Sequence, residues 1–450
     1  MACEYSPLIG VADFLVSLLL VVVFLALANQ KQKALAKSRP HYRYYFRGLL
    51  FKLAAVTAFL CIFVYYYRGG DTLAYHQGAV AMKNLFFESP AHYFDLLFGP
   101  ITWEKYINYF NGETCYPPTW MIKKEANFTV IRITSVIQIF LFDFILATNL
   151  VVARIAYGAI FRLYGMFCSY FPGRERVLAY AFLFMPSVTF WGSGIMKDTI
   201  ALTGICWLIV LFNQVAIQRA KGNTLLRVLG LLLAAYAIFL VKVYLLLALL
   251  PGLGVWFNFQ RILNIKSTFV RMVFFPFIFG ISILAVLLVY TSNSDLFGVY
   301  GADTVLEEAA KVQQDLVREE AYGNNKFDIG KFEATPAGVA SKVPESLLAG
   351  LFRPFLWEAG GSPTMILAGI ENMVLLILFV VVLIRTGFFG FFRTAFSHPL
   401  LILGLIFTLL LAFSIGLTSA NFGALARYKV PLVPFWVSLI LLSYPVKSES

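Results

Sequence analysis

Seven stretches of this sequence are apolar over about the length of a membrane crossing: residues 8–28, 49–67, 128–153, 269–290, 365–384, 399–417 and 430–444. A helix rises 1.5 Å per residue, so about 20 residues cover the roughly 30 Å hydrocarbon core of a bilayer. Inside that core every backbone N–H and C=O has to be satisfied within the segment, which makes each run a helix. Residues 177–217 hold enough chain for two crossings joined by a polar turn at 191–198 (WGSGIMKD). Residues 228–259 would reach about 48 Å as one straight helix, too long for one crossing and slightly short for two.

Charge decides how that last segment runs. Arg219, Lys221 and Arg227 precede it, and Arg261, Lys266 and Arg271 follow it. Both flanks belong on the cytoplasmic side, so the segment is expected to be a hairpin of short or tilted helices turning near Lys242. The path then has about eleven membrane segments in one all-α transmembrane domain, residues 1–450, with the N-terminus outside and the C-terminus inside. Twenty of the 36 Lys and Arg residues fall in its cytoplasmic stretches, against two of the 24 acids, Glu175 and Glu449. The remaining 16 basic and 22 acidic residues lie outside or in the membrane, an asymmetry that supports the orientation.

Composition agrees with lipid as the main solvent. Charged residues make up 13% of the chain and hydrophobic residues 60%, too little charge to cover a water-facing surface. The net charge of +12 comes from basic clusters beside apolar runs, which read as topology determinants and exclude nucleic acid as the partner. The opening carries Glu4 and no basic stretch, so the first run is expected to remain as a helix. Cys3, Cys61, Cys115, Cys168 and Cys206 have no metal-ligand spacing. Only Cys3 and Cys115 lie outside apolar runs, and nothing in the sequence supports a disulfide between them.

Two outer loops are long, 68–127 and 291–364, and the second contains a surface-helix pattern at 303–322 (DTVLEEAAKVQQDLVREEAY). No internal repeat is visible, which weakens an inverted-repeat transporter reading. The cytoplasmic face has almost no carboxylates and no Gly-rich phosphate loop, so any chemistry belongs on the outer side.

Four outer segments carry candidate residues. In YYYRGGDTLAYH, residues 65–76, Asp71 could accept a proton from an attacking hydroxyl while Arg68 neutralises a phosphate and His76 lines the site. The competing reading makes Asp71 an N-cap. In FWGSGIMKDT, residues 190–199, glycine amides, Lys197 and Asp198 at a helix start suit an anion, or Asp198 is a cap and Lys197 snorkels to headgroups. In LFRPFLWE, Arg353, Trp357 and Glu358 suit a sugar-phosphate or anchor the interface. In NFGALARYKVPLVP, Arg427 and Lys429 lie on the outer side, where they hold a lipid phosphate or neutralise acids. His92, Trp103, Tyr116 and Trp120 fit a carbohydrate groove or an aromatic belt.

Within the bilayer, Arg132 and Asp143 share a face of the third span but lie about 16 Å apart and cannot pair. Asp143 therefore needs a partner such as Lys242 or a polar cavity, and Glu371 invites the same question.

The order of a Gly70-Asp71 motif after an early helix, a PSxxFWxSGxxKD turn at 186–198, an RPFxWE segment at 353–358 and a terminal RYxxPxxPF at 427–435 resembles the integral-membrane sugar-polymer enzymes of bacterial envelopes. These include the C-fold (GT-C) glycosyltransferases and the O-antigen and exopolysaccharide polymerases. The resemblance implies a polyprenyl-phosphate-linked sugar donor, a glycan acceptor and a catalytic carboxylate in the first large outer loop, carried here to Asp71. The family's acidic motif pairs two acids, whereas Thr72 follows Asp71, so a divalent metal is not supported. The leading expectation is a glycosyltransferase or polymerase at the outer face of a bacterial cytoplasmic membrane. The alternatives are a transporter or flippase using Asp143, Lys242 and Glu371, and a non-enzymatic membrane scaffold.

Overall fold

The computed structural model describes residues 9–263, 280, 284, 326–330, 332–333, 335–419 and 421–444, without the side chains of 260–263. The expected span at 269–290, the expected outer helix at 303–322 and Cys3 lie outside those residues. Among the described residues the secondary structure is helical, apart from an isolated antiparallel bridge between Lys326 and Asn421. The chain divides into two compact units, Met1–Lys242 and Val243–Ser450.

The first unit begins with α1 (Val11–Leu35) and α2 (Tyr45–Cys61), which continues through a π-helical turn, Ile62–Tyr66. The long loop that follows, expected on the outer side, is itself helical: α3 (Asp71–Glu88), α4 (Pro90–Phe98), α5 (Trp103–Tyr109) and α6 (Thr119–Ile122). Next come α7 (Glu125–Leu141), α8 (Ile145–Tyr170), α9 (Glu175–Leu183), α10 (Pro186–Trp191) and α11 (Lys197–Phe212). The last helix, α12 (Thr224–Leu263), loses helical geometry at Lys242 (φ −155°, ψ 75°), where the hairpin turn was expected and where the first unit ends.

In the second unit, α13 (Pro336–Ser341) and α14 (Val343–Phe352) lead into α15 (Pro363–Ala395), broken at Gly387. After α16 (Pro399–Thr418), the helices α17 (Phe422–Tyr428) and α18 (Val433–Ser443) meet at a 69° bend. Close packing of α14 on α16 relies on glycine: a Cβ on Gly416 would lie 2.0 Å from the Ser346 carbonyl oxygen, and one on Gly350 2.1 Å from that of Ala412.

Seven of the described helices are long and apolar enough to cross a membrane, or eight if α17 and α18 form one broken span. Their outward faces are apolar, with Phe14, Leu15 and Leu19 of α1, Leu229 and Leu232 of α12, and Ile370 and Val374 of α15 all exposed. Faces of that kind need hydrocarbon around them. The chain is a multi-pass α-helical membrane protein.

Three expected spans take a different form. The run 128–153 is not one helix, because Phe142 adopts φ +53° and separates α7 from α8. The helix long and apolar enough to cross is α8, whereas the shorter α7 packs on α3 with Gly78 against Ile131. The first half of 177–217 is the pair of short helices α9 and α10, and the full-length helix is Lys197–Ile217. The segment Thr224–Phe259 meets the criterion as one long helix, although it is interrupted at Lys242.

A polar residue inside the first apolar run explains how α1 is tied down. Asp13 is buried and accepts hydrogen bonds from Leu146 N at 2.9 Å and Ala147 N at 3.0 Å, with Ser17 Oγ donating at 3.1 Å. Its carboxylate thus satisfies the otherwise unpaired first amides of α8. Cys115 is disulfide-bonded, whereas Cys61, Cys168 and Cys206 are free thiols.

Candidate functional site

The glycine pair in the first motif makes the turn that presents Asp71. Gly70 has φ +106° and ψ 175°, a conformation open essentially to glycine, and it rather than Asp71 occupies the N-cap of α3. Asp71 is the first residue of the helix and is half-buried, favoured there by the exposed amides of the first turn. A Cβ on Gly70 would meet the Phe63 ring at 2.8 Å, so the turn rests on α2. Arg68, at φ +50°, is exposed beside it.

The second motif is laid along the same helix. Lys52 Nζ of α2 donates to the Gly192 carbonyl at 2.6 Å, Gly194 packs on the Phe59 ring, and Phe63 meets the Trp191 ring edge-on at 6.3 Å. On its other side, Asn149 of α8 accepts from Ile195 N at 3.0 Å. Small residues at 192–194 therefore let a non-helical turn sit inside the bundle, with its backbone satisfied by side chains. Lys52, counted among the cytoplasmic cations from its position, instead buries its ammonium against this turn.

Asn127 joins the two motifs. Its Oδ1 accepts from Tyr75 Oη at 3.2 Å and from Lys197 Nζ at 2.9 Å. Tyr75 lies one turn beyond Asp71 on α3, and Lys197 opens α11. The residues Asp71 and Lys197, 126 positions apart in sequence, are thereby tied to one end of the first unit. Lys197 turns inward to Asn127 rather than out to headgroups. Asp198 is not a cap either: it is fully buried and pairs with Lys242 Nζ at 2.5 Å, while Met196 is the N-cap of α11.

That pairing corrects the expected partner of Asp143. Asp143 lies in the turn that Phe142 creates, is exposed, and forms an ion pair with the buried Lys83 of α3. It is not a mid-membrane acid, because the helix on which that placement depended ends at Leu141. Arg132 and Asp143 indeed do not pair. The Arg132 guanidinium pairs with Glu125 and donates to the carbonyls of Leu96 at 2.6 Å and Gly99 at 2.5 Å, closing the C-terminus of α4.

His76 is buried on α3, and burial followed by the charge of Lys83 pushes its imidazole down to about 3. It is a neutral group at physiological pH. His92 stacks on Tyr109 with centroids 4.0 Å apart, and Trp103 stacks on Tyr106 at 5.2 Å, so these aromatics knit α4 and α5.

The third and fourth motifs meet within the second unit. Glu358 accepts from Arg353 Nε at 3.0 Å and Nη2 at 2.5 Å and from Phe355 N at 2.9 Å, closing its own turn. The guanidinium lies over Phe327 at 4.6 Å and Phe422 at 5.4 Å, while the exposed Trp357 stacks on Phe355. Lys429 is buried and donates to the Arg353 carbonyl at 3.0 Å and to Asn372 Oδ1 at 2.5 Å, with Glu371 the acid nearest in charge terms. Asn372 in turn donates to the Pro354 carbonyl at 3.1 Å. Glu371 thus belongs with Lys429, and Arg427 sits half-buried on the preceding turn.

Among the described residues, no three His, Cys, Asp or Glu side chains gather as a metal site requires. Compared with known protein families, with curated proteins and with solved structures, the chain matches none.

Proposed function

We propose that the protein is a glycosyltransferase or polymerase that acts on polyprenyl-phosphate-linked sugars at the outer face of a bacterial cytoplasmic membrane. The observation that carries the reading is the Asn127 bridge, which ties the Asp71 helix to the Lys197 turn at one end of the first unit. Asp71 is the general base for the acceptor hydroxyl. Arg68 and Lys197 neutralise the phosphate that leaves with the lipid, a charge that grows as the glycosidic bond breaks. The disulfide at Cys115, in the same outer segment, supports an oxidising and therefore non-cytoplasmic compartment. The transferase reading is preferred to the transport one because two of the residues a transport path would use are already paired, Asp143 with Lys83 and Lys242 with Asp198.

The test is transfer from a radiolabelled lipid-linked sugar in membranes that carry equal amounts of wild-type and Asp71→Asn protein. Loss of a general base lowers the rate by roughly 10²- to 10⁴-fold. Near-normal turnover by the variant would return Asp71 to a purely structural role. Placement is tested separately with a membrane-impermeant thiol reagent: Trp103→Cys should be labelled from outside, Lys37→Cys only after permeabilisation, and the reverse pattern overturns the orientation.

A further inference from the structure

Beneath Lys197 the first unit holds an apolar cavity of about 510 Å³. Along α11 its wall is Thr199, Thr203, Trp207 and Leu211, positions that recur on one helical face. Facing them on α12 are Gly230, Ala234 and Ala237, whose small side chains leave the space open. From Thr199 to Leu211 the groove runs about 18 Å, more than half of a bilayer core. Its walls are Ile133 and Ile137 of α7 together with residues of α8, α11 and α12, and the last three helices are long and apolar enough to cross a membrane, so the groove opens toward hydrocarbon. An apolar recess of this kind stays dry and takes an apolar guest.

The end of the groove at Thr199 lies two residues from Lys197, whose ammonium is fixed on Asn127, and Lys124 caps the helix that carries Asn127. A cationic end on an apolar slot fits an amphiphile with an anionic head and a long chain. The slot is single, so a diacyl phospholipid would leave its second chain outside. We propose that this groove holds the isoprenoid chain of the lipid carrier, with the carrier phosphate at Lys197. This assignment rests on the transferase reading and adds to it the place where the carrier's chain lies.

The experiment uses full-length protein in phosphatidylcholine nanodiscs, with a long-chain polyisoprenyl phosphate as the probe and native mass spectrometry as the readout. Filling the slot with Ala237→Phe, or independently with Gly230→Leu, is expected to weaken binding at least about tenfold, while Ala237→Ser binds as wild type does. In the unsubstituted protein, a brominated polyisoprenyl phosphate is expected to quench a component of fluorescence that Trp207→Phe removes. Normal binding by both filled variants, no quenching of Trp207, or equal competition by phosphatidylglycerol would each overturn the proposal. Failure of the two ideas looks different. If the filled variants lose binding while Asp71→Asn still transfers sugar, the groove stands and the catalytic role falls. If Asp71→Asn is inactive but the filled variants bind normally, the groove falls and the catalytic role stands.

Discussion

Both units gather charged residues at one place, but they use them differently. In the second unit, Arg353 is clamped by Glu358 and enclosed by Phe327 and Phe422, and Lys429 is buried on a carbonyl and Asn372. Those cations hold together three chain segments far apart in sequence. In the first unit, the exposed Arg68 and half-buried Asp71 stand at a helix start, and Lys197 is joined to that helix through Asn127 and Tyr75. The same residue types, in motifs of similar appearance, serve as a tie in one unit and as a chemically accessible cluster in the other. Accessibility, not charge, separates them.

The comparison can be sharpened first at Asp198, a group buried completely and paired with Lys242. Asp198→Asn should strand the Lys242 charge and destabilise the first unit by about 3–5 kcal/mol, measured as a fall in the thermal midpoint in detergent or nanodiscs. The double change Asp198→Asn with Lys242→Met should recover most of that loss. A single variant as stable as wild type would show that the pair does not organise the α12 break.

Next in size is Asn127→Ala, which removes the acceptor shared by Tyr75 and Lys197 and should cost about 1.5–3 kcal/mol. If the bridge positions Lys197, the KM for the lipid-linked donor should rise as well, whereas a stability loss with unchanged KM would make Asn127 a tie like those of the second unit.

His76 gives a smaller, pH-dependent effect. Its folded value, about 3, lies below the ordinary 6.5, so the native state resists protonation and the unfolded state does not. Stability contributed this way is complete above about pH 6.5 and is lost as pH falls toward 3, amounting to about 2 kcal/mol by pH 5. His76→Gln should flatten that part of the stability profile, and an unchanged slope would mean another group titrates there.

Much of the fold was legible because hydrocarbon imposes a simple length rule. The runs that became α1, α2, α15 and α16 are long, apolar and flanked by charge, and the segment with basic residues on both sides loses helical geometry at Lys242, the residue near which a turn was expected. What failed was the run 128–153, where nothing apolar distinguishes a continuous helix from two joined at Phe142, a residue at positive φ. That one break placed Asp143 in a turn between two helices and gave it Lys83 as a partner.

The motifs were visible as clusters of glycine, charge and aromatic residues, but their mutual arrangement was not. Asn127, Asn149, Asn372, Lys52 and Asp13 make the joining contacts, and none of them lies in the four motifs. A buried polar residue in a membrane helix needs a partner, and that rule marks such residues as joints without naming what they join.

The contrast between the two units is tested most directly by measuring transfer and thermal stability together for Asp71→Asn and Glu358→Gln. The account predicts that Asp71→Asn melts like wild type while losing roughly 10²- to 10⁴-fold in transfer. Glu358→Gln should melt lower, because it loosens the Arg353 clamp, while the molecules that remain folded transfer sugar at the normal rate. Normal transfer by Asp71→Asn, together with loss of transfer by a fully stable Glu358→Gln, would contradict the account and move the chemistry to the second unit.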